Sequence, residues 1–223
     1  MVGLEITVTP PHPPPLKDEE APSTSWEILV KQRCGPALVK MICWFAAFSE
    51  TIAIAASLAP SCSTSEIILR VLDGKGHVDA IHVSPLCVMG ATLSIFGGIT
   101  RYACYRELGS LFTFEMSIKR EHRLVTTGPY SIARHPGYTG VLCTVIGIVI
   151  IHTAPGSWAR ECEALCSLVG MAVMFTYLAL TGLISIGLLR RMEKEDEALR
   201  QMFKEEWDEW AKRVPWKLVP GMY

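Results

Sequence analysis

Gly128-Pro129-Tyr130 and Arg134-His135-Pro136-Gly137-Tyr138 set a permanent cation, a titratable imidazole and two phenols within eleven residues. Such a set can grip an anion, hold a proton or offer aromatic faces to a cation. Farther along, Arg191 and Glu195 stand four apart, which puts both side chains on one face of a helix. Each set also has a plainer reading. The first equally describes a helix start with interfacial aromatics. The second equally describes an exposed ion pair of little energetic value.

Positioning these groups requires specific elements. Gly128-Pro129 signals a turn, and Pro136 is readily accommodated only in the first turn of a helix, where its missing N–H costs nothing. A helix is therefore expected to start near Pro136. His135 then sits beside the unpaired N–H groups and positive dipole end, suited to receiving a carboxylate. The following run, Thr139 to Ile151, carries no charge, so polar chemistry stands at the mouth of an apolar layer.

That layer is a membrane. Half the residues are hydrophobic, the mean hydropathy is +0.29, and apolar residues are gathered in blocks, which together predict an all-α integral membrane protein. Four spans are expected, at about 41–59, 82–103, 138–152 and 162–189. Gly97-Gly98 allows a close helix approach within the second, and Glu50 is an intramembrane carboxylate, functional by default or equally a protonated or helix-paired Glu. A Pro155-Gly156 turn makes the last two spans a hairpin, and Glu66 to Leu72 reads as a short surface helix. Residues 1–25 are proline-rich and acidic, have no signal-peptide pattern, and read as a disordered cytosolic tail. Residues 26–223 form the membrane domain. With both termini cytosolic, 18 of the 21 Lys and Arg residues fall on the cytosolic side, the bias that the positive-inside rule predicts. Both sets of polar residues then share that face.

From 190 to about 213 the chain is expected to continue as an amphipathic helix. Met192, Leu199, Phe203, Trp207, Trp210 and Val214 recur at helical spacing, on a segment that lies on the membrane surface or folds back as a lid. The eight cysteines have no C-x-x-C pair or metal-like spacing with histidine; they read as small buried hydrophobes, with no metal site and no disulfide expected. The net charge of −1 carries no nucleic-acid signal.

Taken in order, Gly128-Pro129-Tyr130, Arg134-His135-Pro136-x-Tyr138-x-Gly140, Arg191-x-x-x-Glu195-Asp196-x-x-Leu199, Phe203-x-Glu205-Glu206-Trp207 and Arg213-Val214-Pro215 resemble the isoprenylcysteine carboxyl methyltransferase family. The resemblance covers roughly Phe96 to Pro220. With about four spans the chain is shorter than animal members; its first span and proline-rich tail match no family motif. The resemblance implies an S-adenosylmethionine-dependent enzyme of the endoplasmic reticulum with a cytosolic-face cofactor site. It would methylate the C-terminal carboxylate of prenylated, trimmed CaaX proteins of the small-GTPase type, with membrane lipid around it. His122, Arg123, Leu124, Val125, Tyr130, His135, Pro136, Gly137, Tyr138 and Glu195 fall on cofactor positions. Arg191 falls on the substrate position, and Arg191 and Glu195 form the implied catalytic pair. Ser117 or its neighbours are further candidates to face the cofactor.

Three rivals follow from the same residues. A phospholipid amine methyltransferase shares the cofactor but would gain nothing from a cation at Arg191. A sterol reductase would use NADPH and usually has more spans than 223 residues allow. A non-catalytic scaffold would bind no cofactor.

Overall fold

Small residues decide how the helices meet. The computed structural model describes residues 1–9, 11, 34–73, 77–112 and 123–222. Its α-helices are α1 (Val2–Val8), α2 (Cys34–Ser57), α3 (Ser63–Leu72), α4 (Pro85–Leu108), α5 (Pro136–Thr153), the short α6 (Trp158–Glu161), α7 (Leu168–Phe203) and α8 (Glu205–Arg213). No strand occurs among the described residues. α2, α4 with the turn after it, α5 and α7 are long and apolar enough to cross a bilayer. This is a multi-pass membrane protein. Phe45, Phe48 and Phe175 point outward, as lipid permits.

α4 and α5 form the closest pair. Gly90 and Gly97 lie seven apart on α4, and Gly140 and Gly147 lie seven apart on α5, so each pair stays on one face. A Cβ built on Gly97 would stand 2.5 Å from the Gly140 carbonyl oxygen, and one on Gly90 would stand 2.8 Å from that of Gly147. Backbone therefore touches backbone along this seam. Gly98 faces the other way, where its Cβ would meet the Gly3 Cα of α1 at 2.6 Å.

The helix limits refine the sequence reading. α2 begins at Cys34, before the expected 41, and α7 runs unbroken from Leu168 to Phe203. Its N-terminus is capped by Ser167, whose Oγ accepts the Gly170 N–H at 2.9 Å. At Lys204 the backbone turns into the left-handed region, φ 47°, so α8 is a separate helix. The expected amphipathic segment 190–213 is thus the end of a spanning helix plus a folded-back piece.

The N-terminus corrects another expectation. Residues 2–8, read as the start of a disordered tail, form α1, with Leu4 1% exposed and Thr7 also buried. Leu4 and Val8 share one helix face and Gly3 permits contact with α4, so this short piece gains burial despite its length. Glu5 anchors it to α2, accepting from Trp44 Nε1 at 2.6 Å and pairing with Lys40 Nζ at 2.5 Å. Residues 12–25 of the expected tail lie outside the described residues.

At the opposite end, Glu50 is half-buried beside the backbone of Trp158, which supports the paired alternative. The expected surface helix is α3. None of the eight cysteines is in a disulfide; Cys43, Cys104 and Cys162 are buried, but Cys34, Cys62 and Cys166 are exposed. Those three lie at helix ends and loops, outside the packed seams.

Candidate functional site

Pro136 opens α5 as expected, leaving His135 at its N-cap. The chain before it is fixed from two directions. The C-terminal segment lies alongside: the Arg134 N–H donates to the Trp216 carbonyl at 2.9 Å and the His135 N–H to that of Lys217 at 2.8 Å. Thr139 Oγ1 donates to Leu218 O at 2.8 Å. Upstream, the 3-10 turn Gly128–Ser131 is held by α8, whose Trp210 Nε1 donates to the Tyr130 carbonyl at 3.1 Å.

Against this scaffold α7 sets three charged residues. Arg191 Nε donates to Glu195 Oε1 at 2.6 Å, and the Tyr138 hydroxyl donates to Glu195 Oε2 at 2.8 Å. His135 Nδ1 approaches that same oxygen at 3.5 Å, while its Nε2 lies 3.0 Å from Asp196 Oδ1. Arg134 Nη1 reaches Asp196 Oδ2 at 3.3 Å. The His135 and Tyr138 rings stack almost parallel, with centroids 5.6 Å apart.

Burial alone would drive the His135 proton off, but the hydrogen bonds that the Asp196 and Glu195 carboxylates accept from the ring outweigh it and raise its pKa above the ordinary 6.5. As an imidazolium the ring donates to both carboxylates. Burial is also the main reason the Tyr130 phenol is pushed far above its usual range. Both groups hold their protons more tightly than usual, and the cluster is built to hold charge in place.

Beneath it lies Arg101, only 6% exposed. Its Nη1 donates to Gly137 O at 3.3 Å and its Nε to Tyr105 Oη at 3.0 Å. The Tyr105 hydroxyl donates in turn to Ile6 O of α1 at 2.7 Å, so one chain of hydrogen bonds runs from the N-terminal helix to the start of α5.

A cavity of about 230 Å³ opens on this cluster. Arg123, Leu124, Val125, Tyr130, His135, Gly137, Tyr138, Arg191 and Glu195 all border it, so nearly every residue singled out in the sequence converges on one space. Pro136 is buried but does not border it, because it serves to begin α5. His122 and Ser117 lie outside the described residues. Away from the polar end the cavity continues between helices as an apolar arm walled by Val39, Val141, Val145, Ile184 and Leu188.

Sequence reasoning missed several contributors. Arg101 lies at the end of the second expected span with nothing in its neighbours to mark it as buried, and only the missing side chain at Gly137 hints at it. Asp196 stood in a matched motif without a role, and the α1 wall had only the Leu4/Val8 spacing to betray it. No group of three or more potential metal ligands occurs among the described residues.

The model of the isoprenylcysteine carboxyl methyltransferase family matches residues 90–201, half of the chain. Protein-S-isoprenylcysteine O-methyltransferase B of Arabidopsis thaliana is 30% identical over 128 residues, covering 56% of this chain and 55% of that protein. Protein-S-isoprenylcysteine O-methyltransferase of Xenopus laevis is 31% identical over 141 residues, covering 62% of this chain and 42% of that protein. Delta(14)-sterol reductase of Neurospora crassa is 29% identical over 127 residues, covering 48% of this chain and 25% of that protein. The chain thus spans about half the length, or less, of these curated relatives.

Proposed function

We propose that this chain, which belongs to the isoprenylcysteine carboxyl methyltransferase family, transfers a methyl group from S-adenosylmethionine to the C-terminal carboxylate of an S-prenylated cysteine. The observation that carries the reading is a single cavity that joins a charged, hydrogen-bonded end to an apolar arm between helices. A prenylcysteine is built the same way, with a carboxylate at one end and a hydrocarbon at the other. Its protein substrates would be prenylated, trimmed CaaX proteins, and its location the endoplasmic reticulum membrane with both termini and the site on the cytosolic side.

The polar end fits the donor. Tyr130 and Tyr138 offer aromatic faces suited to a cation, Glu195 offers a carboxylate, and the buried Arg134 Nε has no hydrogen-bond partner among the described residues. When bound, S-adenosylmethionine supplies a methyl group on a positively charged sulfur. The acceptor needs no general base, since a C-terminal carboxyl with a pKa of about 3.5 is already ionised at neutral pH. The protein's work is then orientation and exclusion of water, worth on the order of 7 kcal/mol or more of a barrier. Arg191, fixed by Glu195, would hold the carboxylate by its guanidinium fork. Excessive charge quenching there would blunt the nucleophile. The Arg123-Leu124-Val125 segment would complete the donor's side, with His122 beside it.

The test is methyl transfer from radiolabelled S-adenosylmethionine to N-acetyl-S-farnesylcysteine in membranes containing the chain, with phosphatidylethanolamine as the competing acceptor. Base-labile label on the farnesylcysteine is expected. Label confined to the lipid would move the acceptor class to amines and overturn the carboxylate assignment.

A further inference from the structure

A part of the chain outside the family match helps to wall the cavity. Leu4, Thr7 and Val8 of α1 border the cavity, and Leu4 is also the most buried member of the core behind it, packed with Val39, Cys43, Ile148 and Tyr177. Leu4 therefore has one side on the cavity and the other on solid protein. Beside it, Thr7 Oγ1 and Thr144 Oγ1 share a hydrogen bond of 3.1 Å, closing the gap between α1 and α5. The helix cannot slide along its axis without breaking the Glu5 contacts to Trp44 and Lys40 or the Tyr105 bond to Ile6.

We infer that α1 is the ruler of the acceptor site, with Leu4 as the residue that sets how long a hydrocarbon chain the apolar arm accepts. The inference rests on the proposed use of that arm for a prenyl group. Its physical basis is packing: a hydrocarbon that reaches Leu4 meets side chains and backbone fixed on three sides. Even one methylene of misfit in an apolar pocket changes selectivity by roughly tenfold or more. An isoprene unit adds five carbons, so a wall that moves by the difference between leucine and alanine has a large effect on which chain fits. Val8, one turn along on the same face, forms the side of the arm nearer its mouth and has a weaker effect on length.

The experiment compares wild type, Leu4→Ala, Leu4→Phe and, as a control on the same helix, the exposed Val2→Ala. The acceptors are the N-acetyl-S-geranyl, S-farnesyl and S-geranylgeranyl cysteines. Ratios of kcat/KM between chain lengths are read within each preparation, so any loss of folded protein cancels. Leu4→Ala is expected to raise the ratio of the longest to the middle chain by roughly tenfold. Leu4→Phe is expected to shift preference toward the shortest, and Val2→Ala to change nothing. Ratios that stay constant in both Leu4 variants overturn the ruler while leaving methyl transfer intact. In parallel, thermal stabilisation of the detergent-solubilised protein by the same three compounds reads binding without turnover. Length-dependent stabilisation that Leu4→Ala shifts, with no transfer to any of them, upholds the ruler and overturns the reaction. Neither stabilisation nor transfer at any length overturns both.

Discussion

Arg191 and Glu195 are joined by a 2.6 Å hydrogen bond, and the second oxygen of Glu195 is taken by the Tyr138 hydroxyl. The cation assigned to the acceptor and the carboxylate assigned to the donor are thus one unit. Arg191→Ala is expected to weaken use of the carboxylate acceptor while largely sparing S-adenosylmethionine binding; Glu195→Ala is expected to cost donor affinity. Each should also lower stability by about 1.5–3 kcal/mol, the usual loss for a hydrogen bond to a charged group. Because each orphans the other, the double variant should lose less than the sum of the two. Donor titrations and thermal melts of the three variants check this, and equal loss of donor affinity in both single variants contradicts the division.

The pH dependence follows from His135. Its folded-state pKa lies above the ordinary value of 6.5. The stability it contributes is therefore complete below about pH 6.5 and lost as pH rises through the higher folded value. Melts of the wild type should show Tm falling as the pH rises above about 6.5. His135→Gln, which keeps an amide donor but no titrating proton, should flatten the slope there while lowering Tm at acid pH.

The glycine seam should not tolerate a methyl group. Gly97→Ala would press a Cβ to within 2.5 Å of the Gly140 oxygen, with backbone on both sides unable to yield cheaply. A loss of about 1–3 kcal/mol is expected. Gly182→Ala, where no atom lies within 4 Å of a built Cβ, serves as the neutral comparison in the same melting assay.

Trp210→Phe keeps most of the buried ring and removes the N–H that holds the Tyr130 carbonyl. It should cost roughly 1 kcal/mol, a Tm shift of about 2–4 °C for a chain of this size. It should also raise the KM for S-adenosylmethionine more than that for the acceptor, measured with each varied in turn.

Much of this arrangement was legible in the residues. Pro136 announced the start of α5, charge-free runs announced the spans, and Arg191 and Glu195 announced a shared helix face, because each signal is local. What escaped depends on contacts distant in sequence. Arg101 looks interfacial until Gly137 is seen to leave room beside it. The break at Lys204 has no glycine or proline to mark it; it follows from α8 packing Trp207 and Trp210 against Leu124 and Tyr130, residues about eighty positions earlier. The N-terminal helix is too short to be stable by propensity and forms because α2 and α4 receive it.

The contact of residues 216–218 with the start of α5 also sets an order of assembly. The backbone N–H groups of Arg134 and His135 find their acceptors on Trp216 and Lys217, so during synthesis they have only water to bond until that segment has been made. By then all four spans have been translated and can be in the bilayer. The helices can thus be inserted before the polar cluster closes, and a chain truncated after Pro215 would reach the membrane with a site that never sets.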